Sequence, residues 1–143
     1  LPQGHSLAIL GDPEEAWPDG QRGPHAQFKG YQLDESRFPT FRYNFHGIEA
    51  TDFYEPYEAS GSFVLRRTLK LEGEPVEGLT YLAARGSNIS VVEPNGKFRL
   101  GDLTITVTIS GDEPNFKLRK SSEVTVPIDL SKGSLTLTQV YDW

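Results

Sequence analysis

Two arginines of this chain stand at positions where apolar side chains are expected. The segment 62–71 alternates with period two, and one of its faces carries Phe63, Leu65, Leu69 and Leu71 together with Arg67. An unpaired guanidinium on a buried face is costly, so we expect Arg67 to meet a carboxylate or backbone carbonyls. Arg85 is in phase with Leu79, Tyr81 and Ala83 and raises the same question. Both arginines fit structural ion pairs, or a rim where they and a tyrosine bind an anionic or sugar-like ligand.

The segment 11–25 is rich in Pro and Gly around Trp17 and is predicted to be a long loop held by one aromatic side chain. Its acidic residues are Asp12, Glu14, Glu15 and Asp19. Carboxylate oxygens of this kind could bind Ca²⁺, although the spacing is not that of a helix-loop-helix calcium site. A solvated acidic loop is the other interpretation, and no other cofactor is expected.

Signatures of catalysis are missing from the chain. It has no cysteine, no Gly-x-Ser-x-Gly nucleophile turn and no Gly-rich phosphate loop. The three histidines, His5, His25 and His46, lie about twenty residues apart and do not have the spacing of metal ligands. We therefore assign no catalytic residue, and a small metal-dependent carbohydrate-active or redox enzyme is kept as an alternative.

The elements that must position these side chains are predicted to be strands. Period-two segments occur at 7–10, 27–33, 38–46, 48–55, 62–71, 78–84, 88–93, 97–100, 103–110, 115–119, 122–130 and 134–141. Turn-forming residues separate them, and Asn95-Gly96 is a signal for a tight hairpin. No segment shows a helical period over a dozen residues. The pattern predicts an all-β antiparallel β-sandwich, with jelly-roll or immunoglobulin-like two-sheet architecture and about eleven short strands.

The strands near the C-terminus show two chemically different faces. Apolar residues of 103–110 alternate with Thr104, Thr106 and Thr108. Such strands have one face for a shared core and one hydroxyl-rich face for solvent. Pro127 has no N–H to donate, which predicts that the strand 122–130 lies at a sheet edge or has a bulge at this proline.

Length and composition are those of one globular domain spanning residues 1–143. No apolar run approaches the ~18 residues of a membrane span. The net charge of −6 argues against binding to a nucleic-acid backbone. The chain begins at Leu1 and contains no methionine, so we expect an excised domain or a processed product.

Aromatic residues suggest a ligand class. They concentrate between Phe28 and Tyr57, and flat rings with a polar handle are suited to stacking on sugars. Tyr54 and Tyr57 at a predicted turn, and Trp17 in its loop, are candidates for exposed platforms. Arg42 and Asn44, on the polar face of 38–46, could orient a saccharide through hydrogen bonds. The predicted ligand-binding set is therefore Trp17, Arg42, Asn44, Tyr54 and Tyr57.

Four motifs carry a resemblance: Phe28-Lys-Gly-Tyr-Gln-Leu-Asp34, Pro39-Thr-Phe-Arg-Tyr43, Asp52-Phe-Tyr-Glu-Pro56 and Leu65-Arg-Arg-Thr-Leu69. A further motif is Ala8-Ile-Leu10 before Trp17-Pro18. Together these motifs resemble a β-rich domain of large exported bacterial multidomain proteins, and the resemblance extends from about Leu7 to Tyr141. In those proteins the domain is found near c-type cytochrome, sugar-dehydrogenase-like or sugar-binding modules. The family has no assigned activity, so the resemblance transfers no functional residue.

The resemblance implies a periplasmic or extracellular accessory domain whose partners are neighbouring domains of the same chain. Combined with the aromatic residues, it predicts a non-catalytic module that binds a polysaccharide or oligosaccharide. The alternative is a structural spacer or docking domain without a ligand, with internal aromatic rings and one apolar docking patch.

Overall fold

The computed structural model describes residues 7–11, 26–33, 39–59, 62–93, 96–110 and 115–142, and for 26–33, 39, 57, 59, 62, 63 and 93 it describes the backbone alone. Trp17 and the acidic residues of the predicted loop therefore lie outside the described residues. The calcium site predicted on these acidic residues therefore stays a prediction.

The described residues form twelve strands and no helix, close to the predicted number of about eleven strands. The first six are β1 (Leu7–Ile9), β2 (Ala26–Leu33), β3 (Pro39–Phe45), β4 (Ile48–Ala59), β5 (Ser62–Glu72) and β6 (Leu79–Arg85). The others are β7 (Ser90–Glu93), β8 (Lys97–Leu100), β9 (Leu103–Ile109), β10 (Lys117–Arg119), β11 (Glu123–Pro127) and β12 (Ser134–Asp142). The strands occur where period-two alternation predicts them.

Two sheets pack against each other as a β-sandwich, which confirms the predicted fold class. The small sheet has the strand order β1-β6-β11-β10, and the large sheet has the order β2-β3-β4-β5-β12-β9-β8-β7. All neighbouring strands within the described residues are antiparallel. Strands β7 and β8, on either side of the predicted Asn95-Gly96 hairpin, pair antiparallel, and Gly96 has a positive φ of 104°, whereas Asn95 lies outside the described residues.

The main core lies between the two sheets. The large sheet contributes Ile48, Leu69, Leu71, Phe98, Ile105 and Leu137, and the small sheet contributes Leu7, Leu79, Tyr81, Val124 and Val126. Because side chains alternate along a strand, the same alternation turns the other residues of the large sheet away from the core. We call the face that these residues form the outer face.

Pro127 corrects one prediction. Strand β11 pairs with β6 on one side and β10 on the other, so it is not an edge strand. Its register shift lies between Val124 and Thr125 rather than at the proline. Pro127 is tolerated because it is the last residue of β11. The pairing of β11 with β10 ends two residues earlier, at Thr125. The missing N–H therefore breaks no ladder with β10.

Gly78 lets β1 approach the turn before β6. The Leu10 amide donates to the Gly78 carbonyl at 2.9 Å. A Cβ at Gly78, where φ is +81°, would lie 2.2 Å from the Leu10 carbonyl oxygen. Gly47 has the same φ of +81° and nothing within 4 Å of the position of a Cβ. Substitutions at these two glycines therefore distinguish the cost of backbone strain from the cost of steric overlap.

We expect Gly47→Ala to cost about 1–2 kcal/mol of unfolding free energy, because a Cβ disfavours left-handed backbone. Gly78→Ala should cost about 2 kcal/mol more, because the Cβ also overlaps the Leu10 carbonyl. Urea unfolding of both variants and the parent measures the difference. Equal losses in the two variants would contradict the close approach.

Candidate functional site

The centre of the core contains an ion pair. Arg67 lies on the inner face of β5 and is 3% exposed, and Asp52 on the inner face of β4 is 5% exposed. The Arg67 Nε donates to Asp52 Oδ1 at 2.8 Å, and Nη2 donates to Oδ2 at 2.6 Å. This two-bond geometry confirms the prediction that Arg67 meets a carboxylate, and it is the arrangement in which a buried guanidinium is best stabilised.

A chain of hydrogen bonds continues from the ion pair into the small sheet. Arg67 Nη1 donates to the Tyr81 hydroxyl at 3.0 Å, and that hydroxyl donates to Gln139 Oε1 at 2.5 Å. Gln139 Nε2 then donates to the Ala83 carbonyl at 2.8 Å. Tyr81 and Gln139 are both 0% exposed. The bonds link β5 and β12 of the large sheet to β6 of the small sheet, so they join the two layers.

Tyrosine rings surround the guanidinium. Its carbon lies 5.2 Å from the centre of the Tyr54 ring and 5.5 Å from that of Tyr81, within the range of cation–π attraction. Phe41 packs edge-on against Tyr54, with ring centres 6.3 Å apart. Burial raises the pKa of Tyr43, Tyr54, Tyr81 and Tyr141, and the charge of Arg67 opposes this increase in each case.

These pKa directions determine what the buried network can do. The tyrosines stay protonated at neutral pH because their pKa values lie above the ordinary value of 10.0. The interactions with Tyr81 and Asp52 raise the pKa of Arg67 although burial opposes this, so its charge is fixed. Groups that neither gain nor lose protons near neutral pH are poor acid–base catalysts. The network therefore joins the two sheets and holds the fixed charge of Arg67.

Arg85 does not join Arg67. It is exposed at the end of β6, and its guanidinium donates to Glu123 Oε2 of β11 at 2.9 Å. Arg67 and Arg85 therefore each form an ion pair, which is the first of the two roles predicted for them. The common rim does not form, although tyrosines do gather around Arg67.

The outer face of the large sheet is lined mainly by hydroxyl and charged side chains. Its central row crosses five strands through directly paired residues, in the order Thr40, Phe53, Thr68, Thr138 and Thr108. At ~4.8 Å between strands, this row spans about 19 Å. The next row contains Arg42, Thr51, Lys70 and Thr136, and Arg42 and Lys70 are exposed.

Phe53 is the one aromatic side chain of the outer face among the described side chains. It is half-buried, and its direct neighbours across the strands are Thr40 and Thr68. Two positions along β4, Glu55 forms an ion pair with Arg66, so these two charges offset each other. An apolar ring bordered by hydroxyls can both stack on and hydrogen-bond a polar ring.

The five residues predicted to bind ligand fall on different parts of the molecule. Arg42 and Asn44 lie on the outer face of β3. Tyr54 lies on the inner face of β4, against Arg67. Tyr57 belongs to β4 and pairs with Val64, but its side chain is not described, and Trp17 lies outside the described residues. The joint site of all five stays a prediction.

Asn44 has local partners. Its Nδ2 donates to Glu49 Oε1 at 2.8 Å, and its Oδ1 accepts from the Gly47 amide at 3.1 Å. These bonds close the turn between β3 and β4.

The set of residues predicted to bind ligand did not include Phe53. The available signal was phase, since Phe53 alternates with Asp52 and Tyr54 and shares its parity with Thr51 and Glu55.

Searches of the described residues for other kinds of site were negative. No group of three or more acidic, histidine or cysteine side chains among them could hold a metal ion. The same residues include no helix of the length and apolarity required to cross a membrane.

Comparison of the chain with protein-family models, with curated proteins and with solved structures found no match.

We expect Arg67→Leu to lower the unfolding free energy by about 3–5 kcal/mol, because it leaves the Asp52 carboxylate buried without its partner. The double variant Asp52→Leu/Arg67→Leu should lose less than Arg67→Leu alone, because neither charge then stays buried. Urea unfolding gives both values. As the matched control, Arg66→Leu removes a half-exposed ion pair and should cost about 1 kcal/mol or less. Additive losses from the two core substitutions would contradict the direct pairing.

We expect stability to fall at alkaline pH. The unfolded chain ionises its tyrosines near their ordinary pKa of 10.0, whereas burial raises the pKa in the folded state. The folded state therefore retains protons that the unfolded state releases, and the unfolding free energy should decrease above about pH 10. Urea unfolding from about pH 8 to about pH 11 tests this. Tyr54→Phe should reduce the decrease, and reversible ionisation of all tyrosines near pH 10 without unfolding would contradict it.

Proposed function

We propose that this domain is a non-catalytic accessory module of an exported multidomain protein and that it binds carbohydrate on the outer face of the large sheet. The observation that carries the proposal is the position of Phe53. It is the single aromatic ring among the described side chains of a face lined mainly by hydroxyl and charged groups. The resemblance to exported accessory domains supports the cellular context.

The chemistry of the Phe53 row fits a saccharide. A sugar ring has apolar C–H faces and a rim of hydroxyl groups, so it requires a flat apolar surface bordered by hydrogen-bonding side chains. Phe53 provides the flat surface, and the threonine hydroxyls beside it can both donate and accept. The length of about 19 Å, at ~4.8 Å per strand, allows contact with a chain of several sugars.

Charge also favours a sugar over a nucleic acid. The chain has a net charge of −6, which repels a phosphate backbone. On the outer face, Arg66 is paired with Glu55, and the exposed Lys70 forms no ion pair with any described residue. A neutral or weakly acidic saccharide is compatible with this surface.

A spacer or docking domain is the second candidate, and the burial of the aromatic rings favours it. Each aromatic side chain that the structure describes is buried or half-buried. Among the described side chains, the large apolar residues that are exposed are Val91 at 43% and Val92 at 49%, both on the edge strand β7. The two candidates differ in whether the isolated domain binds any glycan.

The test is calorimetric titration of the domain with a panel of neutral and acidic polysaccharides. We expect one class to bind, and Phe53→Ala to weaken that binding by about thirtyfold, the equivalent of about 2 kcal/mol for a central aromatic contact. Thr68→Val removes one hydroxyl beside the ring and should weaken binding by about fivefold.

Phe116→Ala is the matched control, because Phe116 is also half-buried but packs against Phe98 in the core, away from the outer face. It should leave glycan affinity unchanged in the folded protein. The absence of binding to every glycan would favour the spacer. Binding that Phe53→Ala leaves unchanged would exclude the outer face as its site.

A further inference from the structure

A cavity of about 440 Å³ lies at one end of the small sheet. Its walls are mainly apolar and come from the end of β1, the start of β6, the residues at β10 and the end of β11. The residues that line it include Leu10, Thr80, Asn115, Phe116, Thr125 and Pro127. This volume lies within the range of about 300–1,000 Å³ that is usual for small-molecule sites.

The small sheet is buried on both faces near this cavity. Six consecutive residues of β6, from Leu79 to Ala84, are buried, and so are Val124, Thr125 and Val126 of β11. Consecutive burial means that the side of the sheet turned away from the main core is also shielded from water. A second apolar cluster of Ala8, Leu10 and Leu82 lies on that side, and Leu10 also lines the cavity.

Polar groups in the cavity are few and specific. Thr125 is 4% exposed and lines the cavity, and its hydroxyl forms no hydrogen bond to any residue that the structure describes. The Thr80 hydroxyl donates to the Gly78 carbonyl at 3.0 Å and keeps its acceptor capacity. A nearly buried hydroxyl without a partner in an apolar cavity is a position where a ligand can form a hydrogen bond.

We propose that this cavity binds a compact neutral aromatic molecule that carries one hydrogen-bonding group. The Phe116 ring and the Leu10 and Pro127 side chains would contact its apolar body, and Thr125 Oγ1 would bond its polar group. Two exposed residues of opposite charge, Glu77 and Lys117, also line the cavity. Because their charges offset each other, the cavity has no preference for a charged ligand. This site is separate from the outer face and does not depend on carbohydrate binding.

The test uses indole, a neutral two-ring molecule with one N–H donor, titrated into the isotopically labelled domain and followed by amide chemical shifts. We expect saturable shifts at Leu10, Thr80, Phe116 and Thr125. Thr125→Val should weaken binding by about fivefold, because it removes the hydroxyl and preserves the shape of the side chain. Asn115→Trp replaces an exposed lining residue and should weaken binding by about tenfold or more by filling the cavity.

Two controls match these substitutions. Thr104→Val makes the same change on β9 in the large sheet, and Ser134→Trp adds an indole ring at an exposed position of β12. Both should bind indole as the parent does. Shifts that do not saturate, shifts centred elsewhere, or an Asn115→Trp variant that binds as tightly as the parent would overturn the proposal.

Discussion

The bidentate ion pair between Arg67 and Asp52 is the interaction that constrains this sandwich most. Two charges in a low-dielectric interior are tolerated only when they are paired and their remaining hydrogen-bonding groups are satisfied. The Tyr81 hydroxyl accepts a hydrogen bond from the guanidinium and donates one to Gln139. Gln139 in turn donates to the Ala83 carbonyl. The two sheets must therefore stack at the position where these groups meet. Apolar packing alone would tolerate small shifts of one layer over the other.

The ion pair also sets the register of the large sheet. Arg67 pairs directly with Tyr54 on β4 and with Gln139 on β12. A slip of one residue would turn Arg67 to the outer face and an outer residue into the core. Because the two faces of a strand are coupled by the pleat, fixing the inner face also fixes the rows of the outer face. The alignment of Phe53 with Thr40 and Thr68 is thus a consequence of the buried network.

Sequence reasoning succeeded where one segment carries the whole signal. Alternation located the strands, and an arginine in phase with leucines predicted a buried partner for Arg67. It was wrong at Pro127, because the extent of β10 decides whether a missing N–H matters there. Of the residues predicted to bind ligand, Arg42 and Asn44 lie on the outer face, whereas the side chain of Tyr54 lies on the inner face. Phase along β4 places Tyr54 and Phe53 on opposite faces of the sheet.

The amino-acid sequence by itself determined the all-β class, the positions of the strands and the face of each strand that is apolar. These properties depend on residues one or two positions apart, since the pleat repeats every two residues. Tertiary structure decided which carboxylate pairs with Arg67, which strands are internal and where the cavity opens. Such features join groups far apart in the chain, such as Tyr81 and Gln139 at a separation of 58 residues. Their meeting depends on the order in which strands pair, which no local pattern encodes.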